Sequence, residues 1–353
     1  MMIFIGGIVV MQNEIVQGGP LLDSKGRLVQ MGYSKKMLLE YDRKSIKANS
    51  MRIKEWDYYL VYNHSYAIAL TIADNSYMGL DSVTLIDFTH PWQRTTSPMR
   101  LFPMGKTNLP SSSSNGDVRV NGKGYTIWFK NNGGSRRLIC HMDDFVNKSP
   151  IDIDISILDE PDESMVIATP FKNRKKAFYY NQKINCMRAH GIVRFENKEY
   201  LFRPENSFAT LDWGRGVWTY KNTWYWGSAS GLVNGEPFGF NIGYGFGDTS
   251  NASENMLFYK GKSHKLSKVT FNIPKKGLKT NYMSPWTFTS DDGRFEMDFK
   301  PLIDRHANTN AVIIGSNQHQ VFGYFTGKAV LDDGTIIELN DFLGFAEKVS
   351  NKW

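Results

Sequence analysis

Three acidic residues, Asp212, Asp248 and Glu254, stand among tryptophans and glycines in one stretch, ENSFATLDWGRGVWTYKNTWYWGSASGLVNGEPFGFNIGYGFGDTSNASEN, from Glu205 to Asn255. A carboxyl group packed against large flat side chains loses its water, so its pKa rises and it can give up a proton near neutral pH. Asp212, flanked by Trp213, is therefore the first candidate for a general acid. Arg215, three residues on, pulls the other way, because pairing with a guanidinium would hold Asp212 ionised. In that case the Asp212–Arg215 pair is structural and pins a barrel corner. If Asp212 and Glu254 converge, they form a carboxylate pair suited to a sugar, with tryptophans as stacking platforms. Asp248 opens Asp248-Thr249-Ser250, which fits a turn or cap equally well.

The polar groups set into this aromatic and glycine-rich background are those that line a ligand pocket. They are Trp213, Arg215, Tyr220, Trp226, Ser228, Asn241, Tyr244 and Asn255, joined by His319 from Gln318-His319-Gln320. His319 titrates near neutral pH if it is free, and is a hydrogen-bonded strand residue if it is not. The competing reading of the whole stretch is a tightly packed β-core with glycines at bends and bulges.

Other chemistries find no support. Cys140 and Cys186 lack a CxxC or HxxxH companion, so no metal is expected, and no disulfide framework is implied. No phosphate loop, dinucleotide fingerprint or nucleophile elbow is present, so no cofactor is expected either. The glycines of GFNIGYGFGD alternate with Phe240, Ile242, Tyr244 and Phe246, which is a strand pattern. The net charge of +7 is spread over Lys35-Lys36, Arg174-Lys175-Lys176 and Lys275-Lys276, which read as solvated turns and not as a nucleic-acid groove.

The elements that position these residues are strands. With 14% aromatic residues and 31 glycines in 353 residues, the chain is rich in β-formers and turns. The runs 57–62, 66–73 and 81–88 read as consecutive antiparallel strands. In IDIDISIL, Asp152 and Asp154 alternate with Ile151, Ile153 and Ile155, so the aspartates face water. Asp-Asp-Gly turns at 291–293 and 332–334 mark hairpins. The proline-broken stretch from His90 to Asn121 is expected to be a mobile loop or lid. Asp341 to Lys348 is the one expected helical turn near the end. The fold is therefore all-β, in meander order, favouring barrels or sandwiches. The division expected is an apolar extension over 1–12, a first β domain over 13–175 and a second over 176–353, with the main pocket in or beside the second. Residues 1–10 are too short to span a bilayer and Met11 is an alternative start, so a soluble, cytoplasmic chain is expected.

The strings KEWDYY…TIAD, SFATLDWGRG, WYWGSASG, GFNIGYGFGDTS…EN, DDGRFEMDFKP…DR and HQVFGYFTG resemble the domain-of-unknown-function family 2804 over nearly the whole chain. More distantly, YYNQKINCMRAHGIVRFENKEYLFRPENSFATLDWG resembles the AttH and carotenoid 1,2-hydratase group of two-domain lipocalin-like (calycin) proteins. That resemblance implies two lipocalin-like antiparallel β-barrels in tandem. It places Asp212 on the group's motif aspartate, associated in the hydratases with protonating an alkene, and Trp213-Gly214 on its Trp-Gly. Thr210 stands where the motif has Trp, and Asn181 where it has Ser. The expected function is binding of a small, largely apolar molecule, with acid-catalysed hydration or isomerisation by Asp212. The alternatives are a non-catalytic carrier, or a carbohydrate-active enzyme using Asp212 with Glu254 or Asp248.

Overall fold

The computed structural model describes residues 12–311 and 314–353. The apolar stretch before Gln12, including the alternative start at Met11, lies outside the described residues. Among those described, the chain is all-β. Two short 3-10 turns, Arg43–Ser45 and Ser50–Arg52, are the helical elements, and the strands form two large antiparallel sheets.

The first sheet has 14 strands. Its central order is Met78–Asp87, Tyr66–Asp74, Ile53–Tyr62, Phe208–Val217, Arg174–Phe195, Ser149–Leu158, Arg136–Val146 and Tyr125–Asn131. The second has nine, running from Lys262–Lys265 through Met256–Tyr259, Glu236–Tyr244, Lys221–Val233, Ile336–Lys352, Ile314–Val330 and Phe295–Ala311 to Trp286–Ser290 and Val269–Asn272. Sequential strands are mostly neighbours, as a meander requires. The order is broken where Phe208–Val217 lies between Ile53–Tyr62 and Arg174–Phe195, and where Lys221–Val233 pairs with the last strand, Ile336–Lys352. The chain therefore leaves the first sheet only at Val217, crosses on Trp218-Thr219-Tyr220 and enters the second at Lys221. Residue 175 falls inside a long strand that belongs wholly to the first sheet.

Alternation decides the two interiors. Ile151, Ile153 and Ile155 are buried, while Asp152 and Asp154 point outward to His141 and Arg137. The second sheet closes over Phe240, Phe288, Phe295, Phe299 and Phe325, all buried and packed ring on ring. Two further apolar clusters lie between the sheets. One joins Tyr58, Leu60 and Tyr62 to Trp226, Phe322 and Phe345. The other joins Tyr33, Ile167, Phe171 and Tyr179 to Trp218, Phe246 and Phe258.

Two local expectations are corrected. The segment from His90 to Asn121 contains strands Trp92–Thr96 and Met99–Leu101 and the start of Val118–Gly122. Between them it tucks inward, with the Pro110 carbonyl accepting from Arg215 Nη2 at 2.9 Å and the Ser113 carbonyl accepting from Asn131 at 2.7 Å. These backbone anchors make it a plug and not a free lid. Asp341–Lys348 is strand, paired on one side with Lys221–Val233 and on the other with Ile314–Val330. Two ladders supply backbone partners that override a weak local helical preference. No helix among the described residues is long and apolar enough to cross a membrane.

Candidate functional site

Side chains two apart on a strand share a face, and those three apart do not. That rule separates Asp212 from Arg215 on Phe208–Val217. Leu211, Trp213 and Val217 point into the first sheet's interior. Arg215 goes with them: it lies over the Trp213 ring at 4.2 Å and pairs with Asp57 at 2.9 Å. The Asp212–Arg215 pair considered from sequence is not formed.

Asp212 faces the second sheet instead. Its partner is Lys183, opposite it in the strand register, with Nζ 2.8 Å from Oδ1. Asn181 donates to the same oxygen at 2.6 Å. The Lys183 ammonium also sits 3.9 Å above the Trp226 ring. Trp226 donates its indole N–H to Asn241 at 2.7 Å, and Asn241 donates onward to the Glu254 carbonyl at 2.7 Å. From the last strand comes Glu347, which accepts from Trp224 at 3.0 Å and from Gln320 at 3.2 Å. Gln320 is held in turn by Arg305 at 2.9 Å.

All four ionisable groups are buried, with exposures of 8% for Asp212, 3% for Lys183, 6% for Glu254 and 4% for Glu347. Burial pushes the Glu347 carboxyl up to about 7, against the Trp224 hydrogen bond and the Lys183 charge. Burial likewise raises Glu254, with Lys183 opposing and Asp212 reinforcing the shift. The Lys183 ammonium thus acts on three carboxyl groups, with Lys265 also acting on Glu254, and burial together with repulsion from Asp212 favours protonation of Glu254 and Glu347. Two acceptors beside it, Asn181 Oδ1 and Asn185 Oδ1, are buried with no protein partner. Such atoms are costly unless something donates to them.

The structure gathers Asp212, Trp226, Asn241 and Glu254 from the expected set. Ser228 adjoins them, accepting from Asn185 at 2.7 Å. Asn255 is a bracket between backbone groups, accepting from Gly243 and donating to Ser267, both at 2.7 Å. The others lie elsewhere. Trp213 is in the first sheet's core, edge-on to Tyr41 and Tyr180. Asp248 sits in a turn, its carboxylate accepting from Ser250 at 3.2 Å. Tyr244 stacks on Tyr225 at 4.5 Å, away from the cluster. Tyr220 is exposed beside a surface groove. His319 is on the opposite face from Gln320, bonded to Asp304 at 2.7 Å and stacked between Tyr282 and His306.

Lys183, Glu347 and Gln320 escaped the sequence reading. The signal for the first two was a charge flanked by aromatic and aliphatic residues, in YYNQKINCM and FLGFAEKV. Among the described residues no group of three or more His, Cys, Asp or Glu is arranged to hold a metal ion.

Two curled antiparallel sheets enclosing a buried polar cluster have the architecture of the AttH-like, lipocalin-type proteins. An AttH protein from Nitrosomonas europaea superposes with a TM-score of 0.52 at 12% identity, covering 88% of this chain and 96% of that one. Kievitone hydratase from Nectria haematococca gives 0.47 at 10% identity, covering 89% and 92%. CghA gives 0.40 at 10% identity, covering 95% and 97%. The chain itself belongs to the DUF2804 family, a domain of unknown function, whose model matches residues 12–353. No curated protein matches it significantly in sequence.

Proposed function

We propose that the chain binds a small, largely apolar molecule between its two sheets and transfers protons to and from it through Asp212, Glu254 and Glu347. The observation that carries this reading is the buried cluster itself: three carboxyl groups around Lys183, walled by Trp224, Trp226 and Tyr58. Ionisable groups gathered without water are costly to stability and are a mark of functional sites. The aromatic walls suit an apolar ligand, and the unpaired Asn181 and Asn185 oxygens suit its hydroxyl groups or a water.

Hydration or isomerisation of a double bond fits these groups. Glu347, raised to about 7, is a carboxylic acid over much of the neutral range and supplies the proton. The alkene π pair takes that proton to form a C–H bond, leaving a cationic neighbouring carbon. For hydration, a water oxygen bonds to that carbon and its proton returns to a carboxylate. For isomerisation, the adjacent C–H gives its proton to a carboxylate instead, and its electron pair forms the new double bond to the cationic carbon. The Asp212–Lys183 pair, fixed by Asn181, orients the cluster and stabilises the separated charge.

The test begins with mass spectrometry, native and then denaturing, of whatever molecule the purified chain retains. An isoprenoid, fatty acid or polyketide is expected, and its incubation in heavy water with the wild type should place deuterium on carbon. Asp212→Asn and Glu347→Gln should still retain the molecule but lose turnover by about 100-fold, the usual share of one acid/base group. Retention with no deuterium uptake by any form would make the chain a carrier. Retention of glycans only would overturn the reading in favour of sugar chemistry.

A further inference from the structure

We propose that a groove at the crossing between the two sheets is a second site, which binds a small multiply charged anion of the phosphate or pyrophosphate type. The groove has a volume of about 560 Å³ and is lined by Arg52, Arg174, Lys175, Lys176, Trp218 and Tyr220, among others, with no carboxylate in its wall. It is separate from the Asp212 cluster and uses none of its residues.

The argument rests on charge balance. Elsewhere four buried or part-buried arginines pair with carboxylates, Arg43 with Glu55, Arg100 with Asp81, Arg136 with Glu160 and Arg215 with Asp57, while Arg305 is held by the neutral Gln320. Of the groove's four cations Arg52 is part-buried and Arg174, Lys175 and Lys176 are exposed, and none has a carboxylate partner among the described residues. Two are held in place by neutral acceptors, Arg52 Nε by the Trp218 carbonyl at 2.9 Å and Lys176 Nζ by the Lys47 carbonyl at 3.1 Å. Arg52 and Arg174 are near enough that the charge of Arg174 joins burial in weakening the hold of Arg52 on its proton. Four like charges along one concavity focus a positive potential, and a multivalent anion relieves their repulsion. Guanidinium forks match phosphoryl oxygens two at a time.

The groove has room beyond a phosphate, and the ring of Tyr220, 42% exposed, borders it. An organic phosphate with a flat group would therefore be accommodated. The cations are confined to this one concavity and do not form the long stripe that a nucleic-acid backbone requires.

The measurement is isothermal titration calorimetry of pyrophosphate into the full chain at low salt. Saturable 1:1 binding is expected. It should weaken about tenfold or more in the double variant Arg174→Ala/Lys175→Ala, which removes two charge-assisted contacts. A control with the same loss of charge, Lys275→Ala/Lys276→Ala on an exposed hairpin, should bind as the wild type does. Both variants change exposed residues, and matching thermal unfolding would establish that both fold. Absence of saturable binding, or equal weakening in the two double variants, would overturn the site. So would binding of short RNA or of phosphatidylserine vesicles through Arg174 and Lys175 without binding of pyrophosphate, since that surface would serve a macromolecule.

Discussion

Lys183 is the ammonium paired with Asp212 and the one that acts on Glu254 and Glu347 together, so its loss should cost more than any single carboxyl. Lys183→Met leaves buried negative charge uncompensated, a defect worth about 3–5 kcal/mol. The penalty should shrink as pH falls from 8 to 5, because the carboxyl groups can then take up protons. Urea unfolding at the two pH values checks this, and an equal loss at both would show that Lys183 acts only by packing. Glu347 gives a second pH signature. Its folded pKa is raised from 4.5 to about 7, so its stabilising contribution is complete below 4.5 and is lost as pH rises through 7. The difference is at most about 3 kcal/mol by linkage. Glu347→Gln should flatten the fall in melting temperature between pH 5 and 7. At this scale the sequence pointed to Asp212, Trp226, Asn241 and Glu254, because clustered aromatics and acids are visible in one dimension. It missed Lys183 and Glu347 because each stands beside other polar residues, as an exposed strand position would, and only burial makes such a charge unusual.

At the scale of elements, Phe208–Val217 is the strand on which both the site and the first core depend. Gly214 lies on its Asp212 face, and a Cβ there would come within 2.0 Å of the Trp56 ring. Trp56 cannot withdraw easily, since it stacks on Tyr179 at 6.1 Å and meets Trp218 edge-on at 5.2 Å. Gly214→Ala should therefore cost about 1–3 kcal/mol, the range for overpacking. Gly134, whose Cβ would meet nothing within 4 Å, is the control, and Gly134→Ala should leave the melting temperature nearly unchanged. The Ile/Asp alternation of Ser149–Leu158 and the two Asp-Asp-Gly hairpins were legible beforehand, because period and turn chemistry are local. Asp341–Lys348 was misread as helical because its strand character comes from ladders to residues far away in sequence.

At the scale of the molecule, the two sheets share apolar clusters that mix their side chains, such as Tyr58 with Trp226 and Phe88 with Phe322. Neither sheet can open without exposing rings of the other. Calorimetry should accordingly show one unfolding transition, with calorimetric and van't Hoff enthalpies in agreement. Two resolved transitions would mean that the shared clusters contribute little to cooperativity.

What the sequence determined by itself was the class of structure and the family. Aromatic and glycine content, period-two alternation and turn residues leave little besides an all-β meander, and the quoted strings mark DUF2804, whose model matches residues 12–353. It also singled out the strand that carries Asp212. The tertiary structure decided which groups Asp212 meets. Lys183 reaches it through strand register, Glu347 arrives from the last strand, and Arg215 is turned away by the parity of a three-residue spacing. Periodicity is a property of neighbours in the chain. Register and the crossing at Trp218–Tyr220 are set by the packing of two sheets against each other, and that packing alone turned scattered charges into one buried cluster.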